Sequence, residues 1–198
     1  DFRGEVLDRG WLGPGDTQIK PQLVAFDARW QTNEQSVYAF CREAGPKQFV
    51  ATMGQRDRKG LYVAPKTKTG NVVFLGPEFH VLKVRSHNIW RFDVNSNWWK
   101  TYAHERLALE QEKAGAVTFF YVPKRDGERM RFIKHLLSEK KIEEFVPGKG
   151  LVVTWHCESR QNHWLDTFYN NCALAAYLGC SAIPPDDRPQ VDVLAERK

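Results

Sequence analysis

The sequence lacks the features that mark several common classes of protein. It contains no apolar run near the roughly 18 residues that a membrane-spanning helix needs, and no basic-then-apolar signal segment at its start. It also has no internal repeat. Hydrophobic residues make up 42% and charged residues 27% of the 198 residues, a balance typical of a globular protein. We therefore predict one domain over 1–198, with an irregular lead-in at 1–20 and a flexible tail at 181–198.

Cysteine is scarce and widely spaced. The four cysteines form no C-x-x-C pair, which argues against a dense disulfide framework and against the usual zinc sites. They are Cys41, Cys157, Cys172 and Cys180. We expect packed, reduced thiols. His156, Cys157 and His163 leave a zinc or histidine-metal nuclease as an alternative, although the second ligand pair of such a site is missing.

Two catalytic motifs are also missing. No G-x-x-x-x-G-K-[ST] segment occurs, so we expect no nucleotide-binding P-loop and no ATP hydrolysis within these residues. No G-x-S-x-G turn occurs either, which removes the clearest signature of a serine hydrolase. A Ser/His/Asp arrangement remains possible, because such a triad is recognised by geometry and not by sequence order.

The hydrophobic pattern predicts a mixed α/β domain. Short β-rich runs alternate with segments of helical spacing, and Gly-Pro or Pro-Gly pairs separate several of them. Strands are predicted at 23–26, 37–41, 48–51, 80–84, 89–94 and 116–122, a hairpin at 145–155, and helices at 96–113, 128–137 and 163–178. The first three strands are expected to form a meander.

Three aspartates lie at the ends of predicted elements. Asp27 follows the first strand, Asp93 closes a later strand, and Asp166 lies in the first turn of the last helix, after Asn162 as the predicted N-cap residue. Carboxylates at the ends of adjacent strands repel one another unless cations lie between them. Since Mg²⁺ and Mn²⁺ prefer carboxylate oxygen, the three acids predict a site for two such ions.

Each aspartate also has a purely structural interpretation. Asp27 and Asp93 could each begin a turn, and Asp166 could complement the dipole of its helix. Glu105 is a rival for the second carboxylate, although it shares a solvated helical stripe with Glu110 and Glu112. Spacing alone does not choose between these interpretations.

Positive charge is concentrated between residues 55 and 91. This segment contains eight Lys or Arg against two acids, whereas the whole chain has a net charge of +5. A solvated surface and a contact surface for DNA phosphates both agree with this pattern. The candidate DNA contacts are Arg56, Arg58, Lys59, Lys66 and Lys68.

One segment resembles a known family. Gln161-Asn162-His163-Trp164-Leu165-Asp166, followed by an alanine-bearing helix, is similar to the C-terminal signature of tailed-phage terminase large subunits. The resemblance is most specific at 161–178 and covers about residues 22–178. Its other parts are Val24-Ala25-Phe26-Asp27, the segment 37–41, Phe92-Asp93-Val94 with Lys100, and the segment 132–139.

The resemblance implies a ribonuclease H-like mixed sheet flanked by helices and a metal-dependent endonuclease. This enzyme would cleave concatemeric viral double-stranded DNA during genome packaging by two-metal phosphodiester hydrolysis. Asp27, Asp93 and Asp166 would bind the two Mg²⁺ or Mn²⁺ ions. His163 would orient water or phosphate, and Lys100 would neutralise a phosphate.

The resemblance also implies partners and a location. The partners would be an upstream ATPase domain of the same polypeptide, the portal protein and the small terminase subunit, in the cytoplasm of the host cell. The ATPase motor is not in this chain, and the start at Asp1 leads us to expect a piece of a longer polypeptide. An integrase- or transposase-like strand transferase of the same fold, and a non-catalytic basic DNA-binding module, are the alternative functions.

The basic segment gives the first testable prediction. Neutralising Arg56, Arg58 and Lys59 together should weaken DNA binding and flatten its dependence on salt, because fewer counterions are then released from the phosphates. The measurement is the DNA dissociation constant over a range of salt concentrations. An unchanged slope would exclude this segment as a phosphate contact.

Overall fold

The structure is a computed structural model that describes residues 4–5, 10–12, 17–29, 34–55, 73–76, 78–117, 119 and 126–180. The strands are β1 (Trp11–Leu12), β2 (Gln18–Ile19), β3 (Val24–Asp27), β4 (Phe49–Gln55), β5 (Val73–Gly76), β6 (Phe79–Val84), β7 (Ile89–Asn95), β8 (Glu139–Val146) and β9 (Gly150–Cys157). The helices are α1 (Glu34–Ala44), α2 (Ser96–Ala108), α3 (Asp126–Leu136) and α4 (His163–Tyr177). Among the described residues, no helix is long and apolar enough to cross a membrane.

Five strands form the central sheet in the order β3-β4-β7-β6-β5. β3, β4 and β7 are parallel to one another, whereas β6 is antiparallel to β7 and β5 is antiparallel to β6. A mixed sheet flanked by helices confirms the predicted fold class and is compatible with a ribonuclease H-like nuclease. β8 and β9 form a separate hairpin, and β1 and β2 form a short ladder within the predicted lead-in.

The two faces of the sheet pack against different helices, because side chains alternate between the faces along each strand. On one face, Val50, Phe92 and Val94 join the cluster that contains Trp99 of α2 and Leu174 of α4. On the opposite face, the buried strand and helix residues form a second cluster around α1. Its members are Ala28, Tyr38, Cys41, Ala44, Phe49, Ala51 and Ile89.

The predicted strand at 37–41 is wrong, because these residues belong to α1. The buried side chains of this helix are Tyr38, Cys41 and Ala44, which are spaced three residues apart and so lie on one helical face. α1 is therefore the crossover between the parallel strands β3 and β4, and the predicted meander is wrong as well. Gly45, at φ 127°, follows the helix where the chain turns back to the sheet.

The predictions for the C-terminal elements agree with the structure more closely than the prediction at 37–41 does. The hairpin turns at residues 147–149 as expected, and its strands extend further on both sides than predicted. The last helix begins at His163 as predicted, and Gly179, at φ 79°, donates its backbone N–H to the Ala176 carbonyl. The expected strand at 116–122 does not form at residues 116, 117 and 119, and its other residues lie outside the described ones. The tail at 181–198 also lies outside them.

The burial of the cysteines gives a test of this fold. Cys157 and Cys180 are exposed, whereas Cys41 is fully buried and Cys172 is half-buried. Burial raises the pKa of both Cys41 and Cys172 to about 11, so they hold little reactive thiolate at neutral pH. In the native protein, a thiol-reactive dye should label Cys157 and Cys180 quickly and the other two only after unfolding. Fast labelling of a Cys157→Ser, Cys180→Ser double variant would contradict the packing of α1 and α4.

Candidate active site

A pocket of about 200 Å³ lies between the β3–β4 edge of the sheet and α4. Three of the predicted catalytic residues line it: Asp27, His163 and Asp166. The other lining residues are Ala25, Thr52, Thr167, Asn170 and Asn171. β3 and α4, which are distant in sequence, therefore meet here.

Asp27 is placed by the end of β3. It lies beside Thr52 in the parallel ladder, and one of its carboxylate oxygens accepts a hydrogen bond from the backbone N–H of Arg29 at 2.9 Å. The Arg29 side chain donates in turn to the carbonyl of Gly54 on β4. Asp27 therefore begins a turn, which the sequence analysis left open as an alternative, and it also lines the pocket.

Asp166 is placed by the packing of α4 on the sheet. The adjacent Leu165 is fully buried, and a Cβ at Gly54 would lie 2.8 Å from the hydroxyl of Tyr169, so β4 and α4 approach closely. Asn162 precedes the helix as predicted, but its side chain makes no capping hydrogen bond. Its carboxamide instead donates to Glu139 Oε1 at 2.8 Å.

The buried ion pair of Lys100 and Glu139 lies beside Asp166. Lys100 of α2 contacts both carboxylate oxygens of Glu139 at 2.7 Å, and its Nζ lies 3.5 Å from Asp166 Oδ1. The side chains of Lys100 and Glu139 are only 11% and 3% exposed. Lys100 was predicted to neutralise a DNA phosphate, but this position commits its charge to two carboxylates of the protein.

The surroundings of Asp166 change its acidity. Burial, which has the largest effect, raises the pKa of Asp166 to about 6. The positive charge of Lys100 opposes this rise, whereas the negative charges of Glu139 and Asp27 add to it. Asp27 and Glu139 are therefore close enough to Asp166 for mutual repulsion.

Asp93 does not join this pocket. It follows Phe92 by one residue, so its side chain lies on the α1 face of the sheet, opposite to Asp27 and Asp166. There it accepts hydrogen bonds from Arg91 at 2.7 and 2.9 Å, and His80 Nε2 lies 3.3 Å from its second oxygen. Burial raises its pKa, but these bonds outweigh that effect and hold the pKa of Asp93 below its ordinary value. The structure therefore brings together two of the three aspartates, Asp27 and Asp166, and not Asp93.

The remaining predicted residues have different positions. Glu105, the rival second acid, lines another cavity beside Trp98. His163 begins α4, with its ring centroid 6.0 Å from that of His135. The DNA contacts proposed at Arg56, Arg58, Lys59, Lys66 and Lys68 lie outside the described residues, so that role stays a prediction.

Two residues of the site were missed by the sequence analysis. Glu139 begins β8 directly after Ser138, and nothing in its local pattern distinguishes it from the acids that follow on the exposed strand. Asn170 lies one helical turn after Asp166, and its Nδ2 donates to the Asp166 carbonyl at 2.8 Å. The helical spacing from Asp166 is the one signal that could have identified Asn170.

The family is identified by a match over most of the chain. The family model of the terminase large subunit gpA endonuclease domain matches residues 4–186. The chain belongs to this family. The resemblance predicted from the segment 161–178 is thereby confirmed, and membership supports a nuclease role in packaging, with DNA and the packaging machinery as partners in general terms. No curated protein and no solved structure matches the chain.

The donor atoms of the pocket fit a hard divalent cation. Asp27 and Asp166 supply carboxylate oxygens, and the buried Oδ1 of Asn170 has no hydrogen-bond partner among the described residues. Mg²⁺ is commonly held by one or two carboxylates, with water and substrate phosphate as its other ligands. Over the same described residues, no group of three His, Cys, Asp or Glu is arranged to hold a metal ion. The residues therefore fit one ion with an incomplete set of protein ligands.

The raised pKa of Asp166 predicts how stability depends on pH. Since the folded state binds this proton more tightly than the unfolded chain, ionised Asp166 costs stability above pH 6, and the cost disappears as the pH falls towards 3.8. Without metal, Asp166→Asn should be more stable than the wild type by about 1–3 kcal/mol at pH 8. Urea unfolding in a chelator at pH 4, 6 and 8 measures this difference.

The matched control for this experiment is Glu110→Gln, since the Glu110 side chain is 78% exposed and pairs only with Lys113 among the described residues. This variant should follow the wild type at every pH. An Asp166→Asn difference that does not change between pH 4 and 8 would show that ionisation of Asp166 is not its cause.

Proposed function

We propose that this domain is a metal-dependent endonuclease that cleaves double-stranded viral DNA during genome packaging, with Asp27 and Asp166 holding a divalent ion. The observation that carries the proposal is the meeting of these two acids in one pocket of a chain that belongs to a terminase endonuclease family. Mg²⁺ and Mn²⁺ are the proposed ions, because both accept carboxylate oxygen ligands.

Five residues in or beside the pocket have separate roles in this proposal. A bound divalent ion would make water a better nucleophile and stabilise the negative charge that develops on the phosphate. Asp27 and Asp166 would supply the protein ligands of the ion. Lys100 would keep Asp166 ionised and oriented, and Glu139 would hold Lys100 in place. His163, at the start of α4, would orient a water molecule or a phosphate oxygen.

The proposal keeps the two-ion mechanism expected from the sequence, but it needs fewer protein ligands than were expected. With Asp93 on the opposite face, a second ion would share Asp27 or Asp166 and take its other ligands from water and substrate phosphate. Such a site would be completed only when DNA is bound. Weak ion binding by the free protein would follow, because two carboxylates alone leave most of the coordination to solvent.

The wider setting of the proposal rests on the family. The substrate would be concatemeric DNA, contacted by the basic segment that includes Arg56, Arg58 and Lys59. An ATPase domain of the same polypeptide, the portal protein and the small terminase subunit would be the partners. Cleavage with little base specificity is proposed, since phosphate contacts position a protein on DNA without reading its sequence.

Substitution of the two pocket acids tests the proposal. Asp27→Asn and Asp166→Asn should each lower plasmid cleavage by at least about 100-fold in Mg²⁺ and Mn²⁺, because a metal ligand is lost. Both variants should keep a cooperative thermal melt. Addition of metal should raise the melting temperature of the wild type and have little effect on either variant.

Two further variants make this result specific. Glu110→Gln, an exposed acid outside the pocket, should retain wild-type cleavage. Asp93→Asn should lose stability, by about 3–5 kcal/mol, because Arg91 and His80 lose a buried charged partner, yet its folded form should still respond to metal. Wild-type cleavage by Asp27→Asn or Asp166→Asn would overturn the assignment. A metal response that is lost only in Asp93→Asn would place the ion on the other face of the sheet.

A further inference from the structure

A second cavity, of about 390 Å³, lies beside the first turns of α2 and shares no lining residue with the candidate active site. Two carboxylates and two aromatic rings line it, together with two asparagines, and none of its lining residues is basic. The lining residues are Glu78, Asn95, Asn97, Trp98, Thr101, Tyr102, Glu105 and Val153. An acidic cavity is notable in a chain whose net charge is +5.

The aromatic wall of this cavity belongs to a column of side chains along α2. The rings of Trp98 and Tyr102 are stacked, with centroids 5.5 Å apart and planes inclined by 13°. The guanidinium group of Arg106 lies 4.7 Å from the centroid of Tyr102. The column therefore already contains one contact between a guanidinium group and an aromatic ring. Trp98, at its N-terminal end, is 38% exposed.

The first carboxylate is held in place by its neighbours. Glu78 has a φ of 52°, which is unusual for a residue other than glycine, and its backbone carbonyl accepts hydrogen bonds from Asn95 N and Trp99 Nε1. Its Oε2 accepts from Asn95 Nδ2 at 2.9 Å. Because Asn95 also caps α2 through Trp98 N, the carboxylate is fixed relative to the aromatic column. Backbone strain of this kind is concentrated at functional sites.

Asn97 adds a polar side chain to the wall of the cavity. The residue is only 8% exposed, and its backbone carbonyl is already occupied, since it accepts hydrogen bonds from Thr101 Oγ1 and Trp155 Nε1. Its position in the lining of the cavity makes it available to a bound group.

We propose that this cavity binds an arginine side chain from a protein partner. A guanidinium group can stack on an exposed indole and donate paired hydrogen bonds to carboxylates, here Trp98, Glu78 and Glu105. The side-chain oxygen of Asn97, Oδ1, can accept a further bond. DNA is a poor occupant, since the two carboxylates repel phosphate. Arginine is preferred to lysine because its planar group can stack and form paired bonds at the same time.

A short peptide tests the chemistry directly. The probe is acetyl-Gly-Arg-Gly-amide, and the matched control replaces arginine by citrulline, which has nearly the same shape and no charge. Titration followed by backbone amide NMR shifts of residues 95–105 should give saturable binding of the arginine peptide in the millimolar range. The citrulline peptide should bind at least about threefold more weakly.

Variants locate the binding site. Glu105→Gln and Trp98→Leu should each weaken binding by about threefold or more, because each removes one part of the guanidinium site. Glu110→Gln alters an acid that is close to Glu105 in the sequence but lies outside the cavity, so this variant should bind the peptide as the wild type does. All three variants should cleave DNA as the wild type does, so this test is independent of the nuclease proposal. Equal binding of the two peptides, or unchanged binding by Glu105→Gln, would overturn the inference. AMP serves as a nucleotide probe in the same titration. Shifts at residues 95–105 that AMP causes and the arginine peptide does not would also overturn the inference.

Discussion

The buried contact between Lys100 and Glu139 connects the parts of the molecule that form the candidate active site. Lys100 belongs to α2, Glu139 begins the β8–β9 hairpin, and both reach α4 through Asp166 and Asn162. The hairpin is also held to α2 by Trp155, whose indole N–H donates to the Asn97 carbonyl and whose ring stacks on His104. Three elements that do not belong to the central sheet are thus fixed relative to its β3–β4 edge.

This ion pair is costly to bury, and its cost is a reason to associate it with function. Two charges lose their hydration in the interior, so a buried pair is weak evidence of added stability. Both charged groups nevertheless have further polar partners. Glu139 accepts hydrogen bonds from Lys100 and Asn162, and Lys100 also faces Asp166. A single lysine can therefore balance two carboxylates beside the pocket. Its charge keeps the pKa of Asp166 lower than burial alone would give.

The central sheet separates two sets of polar residues by the alternation of its strands. Asp27 and Thr52 lie on the side of α4, where the candidate active site is, whereas Asp93 and Arg91 lie on the side of α1. Tyr38 connects the second set to α1, because it accepts from Arg91 and donates to Glu34. This network stabilises the α1 face and supplies hydrogen-bond donors to the buried carboxylate of Asp93.

The sequence by itself determined the class of fold, the last helix, the hairpin and the family, because these depend on local periodicity and on the continuous segment 161–178. It also identified Asp27, His163 and Asp166, which the pocket brings together. Only the tertiary structure decided that 37–41 is helical, since a short apolar run fits either a strand or a buried helix until its neighbours are known. Only the tertiary structure decided the positions of Asp93 and Glu139 as well. A shift of one residue along a strand moves a side chain to the other face of the sheet, and the partners that identify Glu139 are distant in sequence.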